Sequence, residues 1–179
     1  PINSIKEYSH FVIYKLYKYI NTTHIILVQW DGYIFNISKW DDDFLNYDYI
    51  GAPFIPRSFD NKYLRDEEGG LYIIGNGGFS LRSKKLLEAA SKYKLEDNYE
   101  YTNFHEDGFY SIYHRKFLEK KGLIWAPFEV AKKFSIESPI SLVDFKTLPL
   151  GFHGKKMLML IEIIKIFNLL SNFLNYTII

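Results

Sequence analysis

The chain has 179 residues, enough for one domain with a sizeable hydrophobic core. Its formal net charge is only +1, which argues against a nucleic-acid partner because no large basic field is present. The sequence contains no cysteine, and this excludes disulfide bonds, thiolate zinc sites and cysteine nucleophiles. The absence of cysteine fits a cytoplasmic protein, which we expect, and no signal peptide opens the sequence.

The first half of the chain predicts a helix, a strand and a second, short helix. Ser4 opens a capping box, and the apolar stripe behind it predicts a helix over residues 4–20. The apolar, β-branched run at 24–30 predicts a buried strand that ends before Asp31. Residues 38–47 have the pattern of a short capped helix.

The second half predicts short strands that alternate with helices, which is the pattern of an α/β domain. A long polar loop over 55–70 precedes them and has the length of a lid. We expect strands at 71–74, 123–126 and 134–136, and helices at 83–93, 105–122 and 155–175. We therefore assign residues 1–154 to an α/β core with a mixed sheet, and residues 155–179 to a hydrophobic C-terminal helix.

Four groups of residues that could bind a ligand or take part in catalysis lie at the ends of these elements, where α/β sheets place ligands. The first is Asp31, which ends the most hydrophobic strand. A carboxylate there suits a cation shared with a ligand's phosphates, although Asp-Gly is also a common turn.

The second is the loop Gly75-Asn76-Gly77-Gly78, with Arg82 beyond it. Three glycines permit positive φ and expose N–H groups to a diphosphate or a sugar, whereas a plain turn seldom uses so many.

The third group is Glu106-Asp107 at a predicted helix start. Acidic residues there complement the helix dipole, and a carboxylate in this place also suits a general base that deprotonates an acceptor hydroxyl. The fourth is His153, between two glycines near the C-terminal end. A lone histidine is usually structural, and it gains interest as a second ligand for a cation at Asp31.

The four groups together resemble the core of GT-A glycosyltransferases. The match is closer still to a family of uncharacterised bacterial glycosyltransferase-like proteins, and it spans roughly residues 4–154. The matching stretches are Val28-Gln-Trp-Asp-Gly-Tyr33, Tyr49-Ile-Gly-Ala-Pro53, Gly75-Asn-Gly-Gly-Phe-Ser-Leu-Arg-Ser83, His105-Glu-Asp107, the segment from Ala126 to Ser135, and Phe152-His-Gly154.

This resemblance implies a three-layer, Rossmann-like GT-A domain. It implies transfer of a hexosyl unit from a nucleotide-sugar to a glycan or lipid-linked acceptor, with inversion, in surface polysaccharide or lipopolysaccharide synthesis. It places Mn²⁺ or Mg²⁺ at Asp31 and His153, and the base at Asp107 with Glu106 beside it. Donor and acceptor binding falls to Trp30, Gly75, Asn76, Gly77, Gly78 and Arg82.

Two departures from the GT-A pattern favour an alternative. Gln29 stands where the Asp-x-Asp motif has its first acid. The strand-loop-helix unit that grips the nucleotide base in GT-A enzymes is expected to be largely missing ahead of the first helix. Both features favour a non-catalytic glycan-binding or scaffold domain with a degenerate GT-A fold. A metal-dependent hydrolase is a weaker alternative, because no dense His/Asp cluster occurs in the sequence.

The tail over residues 157–174 is apolar around most of a helix, but Glu162 and Lys165 argue against a transmembrane span. A helix of this kind must bury itself, either on the sheet or at an interface. Lys155 and Lys156 at its start, where the dipole would prefer acids, favour an interface. We therefore expect contact with the inner face of the membrane or with another subunit.

Overall fold

The computed structural model describes residues 1–54, 71–98, 105–137, 148–160, 162 and 166. The helices are α1 (Ile5–Tyr14), α2 (Lys84–Tyr93), α3, α4 (Phe128–Phe134) and α5 (155–160). Helix α3 begins as Glu106–Gly108, continues as a π-helical segment at Phe109–Tyr113 and ends as Arg115–Lys120. Short 3₁₀ segments cover Leu16–Tyr19, Ile37–Lys39 and Asp42–Asn46. The strands are β1 (His24–Val28), β2 (Gly32–Ile34), β3 (Tyr49–Gly51), β4 (Phe79–Ser83), β5 (Ser135–Ile136) and β6 (Gly151–His153).

Helix α1 begins where the capping box predicts. The Ser4 hydroxyl accepts a hydrogen bond from the Glu7 N–H at 3.2 Å, and the Glu7 carboxylate accepts one from the Asn3 N–H at 2.7 Å. The helix ends at Tyr14, earlier than expected, and the chain continues to Tyr19 as a 3₁₀ segment. Both pieces occupy the predicted 4–20 range.

Strand β4 is the centre of an antiparallel sheet with the order β1-β4-β3. The sequence pattern predicts no strand between residue 74 and the helix at 83–93, and this is wrong. The pattern misleads because the strand is buried on both faces: Phe79 and Leu81 enter one apolar cluster, while Ser80 and Arg82 are buried on the other face. Buried polar residues give the strand a loop-like composition.

Strand β1 is shorter than predicted and only half-buried, at one edge of the described sheet. Its residues nevertheless alternate between two cores. Ile25 and Leu27 pack against a cluster built largely from α1, α2 and α3, and Ile26 packs against a cluster that includes Phe44, Phe79 and Phe134. Apolar side chains are therefore needed on both faces, which accounts for the continuous apolar run.

A second sheet has the order β2-β6-β5. Strands β2 and β6 are antiparallel and pair Gly32 with His153, whereas β5 and β6 are parallel. The sheets lie close together at Gly151, where an added Cβ would stand 2.2 Å from the Phe79 ring. The chain thus combines helices with one antiparallel and one mixed sheet, and the α/β prediction is confirmed.

Several smaller predictions are wrong. Among the described residues, 71–74 and 123–126 form no strand and carry isolated bridges instead, among them Pro53–Ile74 and Tyr49–Trp125. Phe134 is the last residue of α4, a helix that the sequence pattern did not indicate. The three-residue strands β2, β3 and β6 were also not predicted, because so short a run carries no readable period. The predicted lid at 55–70 lies outside the described residues.

The start of the tail packs on the second sheet. Met157 is fully buried against Phe152, with Leu158 and Leu160 partly buried around them. Within the described part of the chain, no helix has the length and apolar character needed to cross a membrane. Most of the predicted contact surface at 157–174 lies outside the described residues.

Replacing Met157 by alanine should lower the free energy of unfolding by about 2–3 kcal/mol, because a buried side chain is removed from a small cluster that can only partly close. The matched control is Met159→Ala, since Met159 is 67% exposed two positions along the same helix. That variant should change stability by less than about 0.5 kcal/mol. Urea unfolding curves measure both, and equal effects would show that the start of the tail does not belong to the core.

Candidate active site

The turn after β1 is fixed to the start of β4. The Gln29 N–H donates to the Gly78 carbonyl at 2.8 Å, and the Gly32 N–H donates back to the Gln29 carbonyl at 2.9 Å. On the far side, the Gly154 N–H donates to the Asp31 carbonyl at 3.0 Å. The backbone around Asp31 is thus tied to β4 and to the segment after β6.

Asp31 and His153, far apart in the sequence, lie in contact. Pairing of Gly32 with His153 in the β2–β6 ladder brings them together, and His153 Nε2 is 3.2 Å from Asp31 Oδ1. The Asp31 side chain is 12% exposed and the His153 side chain is 15% exposed. The His153 ring also covers Gly78, where an added Cβ would stand 2.1 Å from Nε2. A glycine is therefore required at 78 for the ring to reach Asp31.

A second carboxylate stands on the other side of the His153 ring. Glu137 Oε1 is 3.6 Å from Nδ1, beyond hydrogen-bond distance. Burial by itself would lower the pKa of His153, but the carboxylates of Glu137, Asp31 and Asp107 outweigh it and raise the pKa above 6.5. The imidazole therefore gains a proton more readily than a histidine in water.

Arg82 is fully buried beneath the glycine loop. Its Nη1 lies 2.6 Å from Glu106 Oε2, its Nε donates to Ser80 Oγ at 3.0 Å, and its guanidinium carbon is 5.1 Å from the centre of the Tyr49 ring. The sequence resemblance predicts that Arg82 contacts the nucleotide-sugar donor or the acceptor substrate. A guanidinium with no exposed surface reaches no ligand directly, so in this conformation Arg82 affects the site through Glu106 and the loop backbone.

The two acidic residues at the start of α3 have different surroundings. Glu106 is 3% exposed and faces Arg82, whereas Asp107 is half-buried. Asp107 Oδ2 accepts a hydrogen bond from the Gly77 N–H at 3.1 Å, and Oδ1 accepts one from the Gly108 N–H at 2.7 Å. The first carboxylate is committed to an internal ion pair, and the second is oriented by two backbone donors at the surface of the site.

The glycine loop differs from its predicted form. Within the described residues, positive φ values for glycine occur at Gly122 and Gly154 and not in the loop. The Gly77 N–H is directed to Asp107, and the Gly78 N–H donates to Asn76 Oδ1 at 3.1 Å, so both are used internally. The glycines serve close packing instead, since an added Cβ at Gly77 would stand 2.6 Å from Glu106 Oε1.

Sequence reasoning missed two further residues of the site. Tyr8 of α1 lies near the buried ion pair. Burial, followed by the charge of Glu106, raises its pKa to about 12 despite the opposing effect of Arg82. Its place in an apolar stripe made it look like core.

Lys155 Nζ lies 4.9 Å from the centre of the Trp30 ring, which is 70% exposed beside Asp31. The signal available for Lys155 was a basic residue two positions after His153.

The donor set suits a cation that a ligand also binds. No group of three His, Asp or Glu side chains with metal-site geometry occurs among the described residues. The pair Asp31 and His153 offers a carboxylate and an imidazole, with Asp31 Oδ1 and His153 Nε2 3.2 Å apart, and the buried Asp31 Oδ1 makes no hydrogen bond there. Two protein ligands fit Mn²⁺ or Mg²⁺ when phosphate oxygens and water complete the coordination.

Comparison with known proteins identifies a family but no activity. Residues 1–153 match the model of a family described as "Protein of unknown function (DUF5672)", and the chain belongs to that family. Neither the curated proteins nor the solved structures contain a match.

The contact of His153 with two carboxylates should make stability depend on pH. A raised folded-state pKa contributes stability that is fully present below about pH 6.5 and is lost as pH rises through the folded value. In a chelator-containing buffer, the melting temperature difference between the wild type and His153→Gln should therefore shrink from about pH 6 to about pH 9. His114, whose pKa burial lowers, is present in both proteins and cancels in the difference. A difference independent of pH would contradict the described charge contacts.

Proposed function

We propose that this DUF5672 protein is a glycosyltransferase with a GT-A-like core, which moves a hexosyl unit from a nucleotide-sugar to a hydroxyl group of a glycan or lipid-linked acceptor. The observation that carries the proposal is the meeting of four separate sequence groups: His153 contacts Asp31 and covers Gly78, while Gly77 is hydrogen-bonded to Asp107. A shared turn or helix cap would not need all four in one place.

The donor's diphosphate would lie beside Asp31 and His153. A divalent cation bound by this pair would neutralise the departing diphosphate when it is present. The chain adds Lys155, whose ammonium group lies above Trp30 next to Asp31. This ammonium group supplies positive charge to the leaving group, and the exposed Trp30 ring offers a flat surface to the nucleotide or sugar.

Asp107 is the candidate base. It is half-exposed, and its orientation is fixed by the N–H groups of Gly77 and Gly108. A fixed, accessible carboxylate can accept the proton of an acceptor hydroxyl as that oxygen attacks the sugar. Glu106 is a poor candidate because its carboxylate is buried against Arg82. Inversion at the sugar carbon would follow from direct attack of this kind.

The alternative is a non-catalytic glycan-binding or scaffold domain. Three features favour it. Gln29 removes a carboxylate that could hold a cation. The buried Arg82 and the internally bonded N–H groups of Gly77 and Gly78 remove direct contacts with a diphosphate. Release of free sugar or nucleotide from a panel of nucleotide-sugars, with and without acceptors, separates the two functions. Mass spectrometry of the products would name the donor.

The protein's location is also part of the proposal. An acceptor linked to lipid would place the protein at the inner face of the membrane, with residues 157–174 as the contact. Exposed Met159 and Ile166 in the described part of the tail support such a surface. Co-sedimentation of the intact chain with anionic vesicles tests it.

Asp107→Asn should lower turnover by roughly 10²-fold or more, because the amide keeps the shape but cannot accept a proton. The matched comparison is Glu106→Gln, which leaves a buried guanidinium without its anion and should instead lower stability by about 3–5 kcal/mol. Rates of glycosyl transfer and unfolding curves distinguish the two effects. Normal turnover in Asp107→Asn with an inactive but folded Glu106→Gln would reverse the assignment.

The Asp31→Ala, His153→Ala double variant should bind Mn²⁺ at least about tenfold more weakly than the wild type when nucleoside diphosphate is present. Titration calorimetry of Mn²⁺ into the protein–diphosphate mixture provides the measurement. Glu129→Ala, which removes an exposed carboxylate paired with Lys132 on α4, serves as the control and should bind normally. Equal Mn²⁺ affinity in the double variant and the wild type would rule out this metal site.

A further inference from the structure

We propose that a surface cleft beside Trp40 is a second carbohydrate-binding site, which takes a neutral glycan chain away from the Asp31–His153 pair. The cleft has a volume of about 670 Å³. It is formed by residues between Ser38 and Phe44, by Lys133 of α4 and by Leu148-Pro149 ahead of β6. Its size lies within the range of small-ligand pockets, about 300–1,000 Å³. Asp31, Asp107 and His153 are not among its lining residues.

The Trp40 ring is held in place before any ligand arrives. Its indole N–H donates to Asp42 Oδ1 at 2.8 Å, and its ring packs edge-on against the buried Phe44 at a centroid distance of 5.7 Å. An aromatic ring fixed in this way loses little conformational entropy when a ligand covers it. Flat, fixed rings offer a large contact area to the apolar face of a sugar.

The charges around the ring are balanced. Asp41 and Asp42 supply carboxylates, and Lys39 and Lys133 supply ammonium groups. One oxygen of Asp41 accepts the Asp43 N–H at 3.0 Å, which fixes this carboxylate as the cap of the 3₁₀ segment. Sugar hydroxyls both donate and accept hydrogen bonds, so they match both kinds of group. A polyanion would meet the carboxylates and a polycation the lysines, which is why the cleft favours a neutral ligand.

Strands β2 and β6 connect this cleft to the candidate active site. The two strands are antiparallel to each other, and they extend from the Asp31–His153 contact as far as Leu150. The Leu150 carbonyl accepts hydrogen bonds from the N–H groups of Phe35 and Asn36 at 2.8 and 3.1 Å. The chain from His153 back to Leu148 spans at most about 17 Å. A glycan of several units could therefore occupy the cleft with one end at Asp107. This acceptor role rests on the proposed function, whereas glycan binding by the cleft does not.

The test is titration calorimetry of the intact chain with neutral gluco-, galacto- and manno-oligosaccharides, with a sialylated and a sulfated oligosaccharide as charged comparisons. We expect a neutral oligosaccharide to bind, and Trp40→Ala to weaken binding at least about tenfold. The matched control is Tyr19→Ala, which removes a ring that is 72% exposed outside the cleft and should bind normally. Absence of neutral binding, preference for the charged sugars or unchanged affinity in Trp40→Ala would overturn the proposal.

A conservative variant keeps the test valid if Trp40→Ala unfolds. Trp40→Phe retains a ring against Phe44 but loses the indole N–H and part of the flat face, so it should weaken binding by roughly threefold to tenfold. Unchanged affinity in a folded Trp40→Phe, as judged by its melting curve, would then overturn the proposal.

Asp107→Asn separates this inference from the proposed function. The variant should bind an oligosaccharide too short to extend beyond the cleft as the wild type does, because Asp107 does not line the cleft. If the wild type transfers sugar, Trp40→Ala should raise KM for a long acceptor and leave kcat and short acceptors unchanged. Glycan binding without any transfer would remove the proposed function and leave the cleft site standing. Sugar transfer without Trp40-dependent glycan binding would remove the cleft site and leave the proposed function standing.

Discussion

The buried pair of Arg82 and Glu106 is the interaction on which the rest of the site depends. It joins the central strand β4 to the start of α3 across the interior, with both side chains almost free of solvent. Removing one partner of such a pair typically costs about 3–5 kcal/mol, because the remaining charge stays buried without compensation. The guanidinium is further accommodated by Ser80 and by the faces of Tyr49 and Tyr110.

The pair also decides the geometry around it. An added Cβ at Gly77 would stand 2.6 Å from Glu106 Oε1 and 2.8 Å from Arg82 Nη2, so the loop can pass over the pair only as glycine. With Glu106 turned inward, Asp107 is the acid that faces the loop, and it accepts the Gly77 N–H. The same loop then carries Gly78 under the His153 ring. One internal charge pair thus sets the positions of residues from four distant parts of the sequence.

Sequence patterns located the elements with a strong local signal. The capping box at Ser4, the cap at Ser83 and the apolar run at 24–30 correspond to α1, α2 and the shorter β1. Contact between Asp31 and His153 also agrees with their placement beside glycines at element ends. What the sequence could not reveal was burial of charge. Arg82 is predicted to contact a ligand because it follows the glycine loop, whereas arginine is rarely buried unless it is paired, and its partner Glu106 is 24 residues away. Strands β4 and β6 were also not predicted, because their pairing is set by the tertiary structure and not by a local sequence pattern.

Asp31 and His153 retain a deficit that packing alone does not explain. Asp31 Oδ1 and His153 Nδ1 are buried and make no hydrogen bond within the described chain, and their charge contacts of 3.2 and 3.6 Å compensate only partly. An unsatisfied buried polar atom costs about 1–3 kcal/mol. A site selected only for stability would place apolar side chains over Gly78, as the neighbouring Phe152 is packed by Met157. Trp30, the exposed residue before Asp31, and Lys155, which lies over its ring, support the proposal that a ligand supplies the missing partners.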